Sequence, residues 1–187
     1  GVRFLQYLGC SSNGSVDGLP QAADLWARAQ TPAQRLVAAW AQGNTRLWRG
    51  SPGEALQWFE TALALEPQTT LAERSALFVT DPLNFVRAQW LWLRSLRGDD
   101  AEGLERDTRE AEARLRALPQ TQDRCVYHCM AAFRTYTEGD FNAMARHAGQ
   151  AQAVAEQESF DLWAAIAALQ WSVAQAHLGQ RPDLEAL

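Results

Sequence analysis

Apolar residues recur three and four positions apart along most of this chain, and nowhere do they alternate with polar ones as in a half-buried strand. The pattern predicts a run of helices. A helix over 20–30 follows an earlier one over 2–9, with the polar stretch 11–15 as the loop between them. The next helix, 32–49, opens on Thr31 as N-cap and on Pro32 at the first helical position, where a missing N–H costs nothing. Helix 52–65 stops before Pro67, because the residue preceding a proline avoids the helical conformation. Helix 82–97 is capped by Asp81, with Pro82 first, and helix 100–118 ends before Pro119. Helices 121–138, 140–157 and 160–178 complete the series. In 100–118, Leu104, Thr108, Ala111, Leu115 and Leu118 form an inner stripe. The outer face carries acid–base pairs four residues apart: Glu102–Arg106, Glu105–Arg109, Glu110–Arg114 and Glu112–Arg116. Each contributes only a few tenths of a kcal/mol, as expected of a solvated face.

Gly50, Gly98, Gly139 and Gly179 each follow a helical run, where a residue able to take a left-handed backbone closes the last turn. Ser51-Pro52, Asp99-Asp100, Asp140 and Gln180-Arg181-Pro182 come next and supply turn or N-cap chemistry. Each glycine therefore marks a tight turn between antiparallel helices. The connector 68–81 is longer than a turn. Its apolar Leu71, Leu77, Phe78 and Val79 predict that it packs, placed to cover one end of a groove.

Residues 43–67 hold a tighter pattern: Gly43, Gly50, Ala55, Phe59, Ala62 and Pro67, spaced 7, 5, 4, 3 and 5 apart. Gly43 and Ala55 let two helices approach, Phe59 fills the space between them, Ala62 packs beneath and Pro67 stops the helix. The segment resembles the tetratricopeptide repeat at its glycine, turn, small-residue, aromatic and terminal-proline positions. Around Gly139 the likeness is looser. Ala132 and Ala151 hold small positions, Met144 replaces the second small residue and Ala148 the aromatic. The turn glycines lie 48, 41 and 40 residues apart, against about 34 in that family. These pitches, with segments 80–98 and 158–180, resemble the divergent helical repeats of bacterial ATPase-linked transcriptional regulators and adenylate cyclases.

The resemblance implies an all-α fold, an alpha-alpha superhelix of about eight to nine helices. It implies one array over 1–187 with units at 2–30, 31–67, 82–118, 120–157 and 159–187. It also implies a non-catalytic, cytoplasmic scaffold in a bacterial signal-transduction protein, binding a protein or peptide through a concave aromatic groove. The alternative is a domain of a transcriptional regulator that senses a small-molecule effector. In such arrays the first helix of each pair lines the groove. Counting back from each turn glycine gives Val37, Trp40, Asn44 and Trp48, then Phe85, Gln89 and Trp92. The third repeat gives Val126, Cys129, Phe133 and Tyr136, and the fourth gives Leu169, Val173 and His177. Aromatic residues of this kind often anchor interfaces. Asn44 stands where a peptide-carboxylate clamp of the family uses Asn, and Trp40 where it uses lysine. Arg46, Arg87, Arg94 and Arg134 offer anion contacts from the same helices.

Composition narrows the chemistry. The chain has 187 residues and a formal charge of −5, which argues against duplex DNA as its main partner. All 17 basic residues are arginine, so no lysine can serve a phosphate loop or form a Schiff base. No apolar run reaches the ~20 residues that span a membrane, and the start does not read as a signal peptide. No cofactor is expected. Cys10, Cys125 and Cys129 form no disulfide framework. Cys125, His128 and Cys129 share one helical face, with His147 on the next helix, and form a weak candidate metal site, since structural zinc takes four ligands. The stretch 9–14 lacks the strand–turn–helix setting of a nucleophile elbow, and the chain has no HExxH or GxGxxG, so no enzyme is expected. Both ends read as cut inside a larger array, so a homodimer through the exposed apolar terminal faces is expected only as a consequence of the cut.

Overall fold

The computed structural model describes residues 18–78 and 80–180. Among these residues it is all-α, with nine α-helices, one 3-10 turn and no strand. The helices are α1 (Gly18–Arg28), α2 (Pro32–Trp48), α3 (Pro52–Ala64), α4 (Leu71–Ser75), α5 (Pro82–Arg97), α6 (Ala101–Ala117), α7 (Thr121–Glu138), α8 (Phe141–Glu158) and α9 (Asp161–His177). Every helix read from the pattern within this range is present, with bounds within two residues of those expected. The helix expected at 2–9, the loop at 11–15 and Cys10 lie outside the described residues.

The turns follow from glycine. Gly50, Gly98, Gly139 and Gly179 have φ of 81°, 76°, 76° and 76°. That conformation lets the next residue's N–H reach back to a carbonyl five positions earlier: Ser51 to Arg46 at 2.9 Å, Asp99 to Arg94 at 3.1 Å, Asp140 to Thr135 at 2.9 Å and Gln180 to Gln175 at 2.9 Å. These are Schellman closures of carbonyls that the helix end leaves free. A fifth closure, missed in the sequence, joins α8 to α9: Phe160 N–H bonds to Ala155 O at 2.8 Å, with Ser159 at φ 58°.

The caps are partly as expected. Thr31 and Gln34 form a capping box. Asp100 accepts from Gly103 N–H at 2.7 Å, and Asp140 from Ala143 N–H at 2.8 Å. The Ser51 hydroxyl makes no cap bond, although Thr31 caps its helix ahead of a proline in the same position. Asp99 is an ion-pair partner instead of a cap, held by Arg94 at 2.8 Å and Arg97 at 2.5 Å.

Two compact units divide the chain, the first ending at Trp90 and the second beginning at Leu91, both within α5. In the first, α2 packs closely on α3 and α1. A Cβ on Gly43 would stand 2.5 Å from the Phe59 ring and 3.1 Å from the Ala55 carbonyl, so glycine is what allows the close approach. Ala55, Phe59 and Ala62 are fully buried.

The connector is more ordered than its sequence indicated. A 3-10 turn, Glu66–Gln68, leads into it, and it holds the short helix α4, which Thr70 starts with a capping box to Glu73. Arg74 and Asp81 then form a buried two-bond ion pair, at 2.8 and 2.9 Å, and Arg74 also reaches Thr69 Oγ1 at 2.9 Å.

In the second unit, α8 packs between α7 and α9. Ala132, Met144, Ala145 and Ala174 form a core, with Phe141 and Val173 against it. Ala148, Ala151 and Ala155 are fully buried, so short side chains take the place of the aromatic and let these helices lie close.

Candidate binding surface

In the first unit, the groove candidates on α2 and α5 bond to one another. Trp40 Nε1 donates to Gln89 Oε1 at 3.2 Å, and Gln89 Nε2 donates to Asn44 Oδ1 at 2.8 Å. Trp48 Nε1 donates to the same Asn44 oxygen at 3.0 Å. Gln89 is 1% exposed and Trp40 3%, whereas Trp48 is 57% exposed. Trp40, Asn44 and Gln89 therefore build the wall between first helices and only Trp48, at the chain's outer end of the network, presents a large surface. Val37 is likewise buried.

Phe78 of the connector packs on Trp40 and Phe85, with ring centroids 5.4 and 6.0 Å away, and Trp40 and Phe85 stand 5.5 Å apart. Counting back from the glycines could not find Phe78, because it lies outside any helix. Its position in an apolar run of the connector was the available signal.

The second unit arranges its candidates differently. Trp92 stacks on Phe133 with centroids 5.6 Å apart, and its Nε1 donates to Thr137 Oγ1 at 3.1 Å. Ser95 donates to Glu138 at 2.6 Å beside it. Tyr136 stands edge-on to His177 at 5.9 Å and to Phe141 at 6.2 Å, while Phe141 and His177 stack in parallel at 4.0 Å. Tyr136 is exposed, and Trp92 and Phe133 are half-buried. Leu169 is exposed and Val173 half-buried. Cys129 and Val126 are fully buried, so these two line the interior. The polar partners Thr137 and Glu138, and Phe141, were not among the expected residues. Phe141 follows the Asp140 cap, where an apolar residue signals a packed helix start.

The chain matches no protein-family model, no curated protein and no solved structure.

The four candidate anion-binding arginines all have carboxylates beside them. Arg46 pairs with Glu54 at 2.9 Å and lies 5.5 Å over the Trp58 ring. Arg87 pairs with Glu66, Arg94 with Asp99 and Asp107, and Arg134 with Glu138 at 3.7 Å. Each positive charge is balanced within the fold, which weakens any claim on an external anion.

The cysteine–histidine face does not converge as a metal site. Among the described residues no three His, Cys, Asp or Glu side chains could hold a metal ion together. Cys125 and Cys129 are buried, and Cys125 Sγ donates to Ala151 O at 3.5 Å. The contact with Cys125 and burial both push the Cys129 thiol up, so it stays protonated. His128 instead turns to His147, Nδ1 to Nδ1 at 3.1 Å, a distance that requires one ring to donate and the other to accept. Burial pushes both histidines down to about 4, and His147 further feels His128, Arg134 and Arg146.

Proposed function

We propose that this chain is a non-catalytic binding scaffold of the tetratricopeptide-like kind, which presents an aromatic surface to a protein or peptide within a bacterial regulatory protein. The observation that supports this reading most is the aromatic ladder of the second unit. Trp92–Phe133 and Tyr136–His177 place side chains of α5, α7 and α9, the first helices of successive pairs, in contact. Aromatic rings give broad contact area at little entropic cost, and Tyr136 keeps an exposed edge beside a stacked pair. The acidic balance, −5 over the chain, goes with a neutral or basic partner.

The test is selection from a displayed peptide library, followed by calorimetry on the recovered peptide. Trp92→Ala and Tyr136→Ala should each weaken binding by about 2 kcal/mol. Trp26→Ala, remote from the ladder in sequence and packed on Trp58 at 5.0 Å, should leave affinity unchanged. Unchanged affinity in both ladder variants would remove this surface from the reading. Recovery of a small molecule of a few hundred daltons with the native protein would favour effector sensing instead.

A further inference from the structure

Trp40 and Phe85 stand where the first helices of the first unit are expected to meet a ligand, and the Phe78 ring lies on both, with centroids 5.4 and 6.0 Å away. Phe78 belongs to no helix. It ends a strap, residues 66–78, that runs from the end of α3 toward the start of α5. The strap is attached differently from the helices around it. Leu71, Leu77 and Phe78 are only half-buried, whereas Leu36 of α2 and Leu83 and Val86 of α5 are fully buried. Its other attachments are charged: Glu66 pairs with Arg87 of α5, and Arg74 with Asp81. Ion pairs taken out of water regain in attraction little more than desolvation costs them. Helix α4 has five residues, too few to hold itself together. Where the strap reaches α5, the buried Thr80 hydroxyl meets no hydrogen-bond partner, which penalises the closed form.

We propose that the strap is a displaceable cover in which Phe78 holds the place of a partner's side chain. The first unit then binds a peptide that carries an aliphatic–aromatic pair, in competition with its own Leu77-Phe78. Opening gives up one aromatic cluster and two ion pairs, and the charged groups and the Thr80 hydroxyl regain water. It uncovers the faces of Trp40 and Phe85, whose centroids stand 5.5 Å apart. Trp40 stays oriented by its bond to Gln89, so the surface that receives a ring is formed before the ring arrives. The proposal shares with the function above the premise that first helices carry the binding surface. The library experiment reads Trp92 and Tyr136 of the second unit, so either reading fails without the other.

The probe is a fluorescein-labelled peptide of residues 71–81, which supplies in trans the ring that the strap supplies in cis. A ligand that needs an open minor form binds with its affinity reduced by the open fraction. Anisotropy should therefore show the peptide binding the Phe78→Ala protein about tenfold more tightly than the parent. Glu66→Gln, which loosens the strap at its other end, should also tighten binding. A peptide carrying Phe78→Ala should bind none of the three proteins. Hydrogen exchange supplies the second measurement. In the parent, the amides of Arg74, Ala76 and Leu77 bond to carbonyls within the strap at 3.2, 3.0 and 3.0 Å. Saturating peptide should speed their exchange and leave the amides of α2 protected. If Phe78→Ala fails to protect α2, Glu66→Gln and the parent's exchange decide. Equal affinity for parent and variants overturns the proposal by placing the peptide elsewhere. Absence of binding to all three proteins, or strap amides that exchange only together with those of α2, overturns it by making the strap part of the core.

Discussion

Ser159 is the one non-glycine residue with positive φ among those described, at φ 58°. A side chain in the left-handed region meets its own backbone, at about 1–2 kcal/mol for an L-residue. The other helix-to-helix closures of this kind use glycine, so Ser159→Gly should raise stability by about 1 kcal/mol, read as a shift in the denaturant midpoint with unchanged slope. The His128–His147 pair is a residue-scale feature of opposite sign. Both rings sit at about 4 in the fold, against 6.5 for the free side chain. Above pH 6.5 both states leave the rings neutral and stability is flat. As pH falls from 6.5 toward 4, the unfolded chain takes up protons that the folded chain refuses, so stability falls. Each ring contributes at most about 1.4 kcal/mol per pH unit in that window. Melting temperatures across it should drop for the parent and drop less for His147→Gln, whose amide holds a hydrogen bond without titrating. Equal slopes for the two proteins would mean that the pair does not control acid stability.

At the scale of the element, two devices set where helices meet. Gly43 has no room for a methyl group, since a Cβ would stand 2.5 Å from Phe59 and 3.1 Å from the Ala55 backbone. Gly43→Ala should therefore cost about 1–3 kcal/mol, although alanine is the better helix former. The Arg74–Asp81 pair fixes the connector to the start of α5, and both side chains are buried, at 9% and 4% exposed. Removing the cation strands a buried carboxylate, so Arg74→Ala should cost about 3–5 kcal/mol, while the double variant Arg74→Met, Asp81→Asn should recover much of it. Both predictions are checked by chemical denaturation. The two devices differ in how well the sequence announces them. Gly43 stands at a fixed distance from a turn glycine and an aromatic residue on the next helix, so the close contact was legible. Arg74 and Asp81 stand seven residues apart in a stretch with no helical period, and nothing local shows that one buries the other. The groove residues divide in the same way. Spacing from a turn places Trp40, Gln89 and Cys129 on a helix face, but the neighbouring helix decides whether that face meets water or Asn44.

Across the whole molecule the helices make their tight contacts with neighbours in sequence: α1 with α2, α2 with α3, α7 with α8, and α8 with α9. Contacts of this range close short loops, so little chain entropy is lost before packing offsets it. Folding should accordingly fall in the microsecond-to-millisecond range typical of helical proteins rich in local contacts. The chain's 8 tryptophans make this measurable by rapid-mixing or temperature-jump fluorescence. Folding over seconds with a fluorescence change in the main phase would show that the pairings between more distant helices, such as Trp40 with Gln89 and Trp92 with Phe133, control the reaction. The same locality explains why the order of helices can be read from one sequence while the partner cannot. The turns at Gly50, Gly98, Gly139 and Gly179 are each specified by a glycine and its flanking residues, a signal that is complete within a few positions. A binding surface is assembled from Trp92, Phe133, Tyr136 and His177, residues up to 85 positions apart, and its specificity depends on exposure that only the packed helices define.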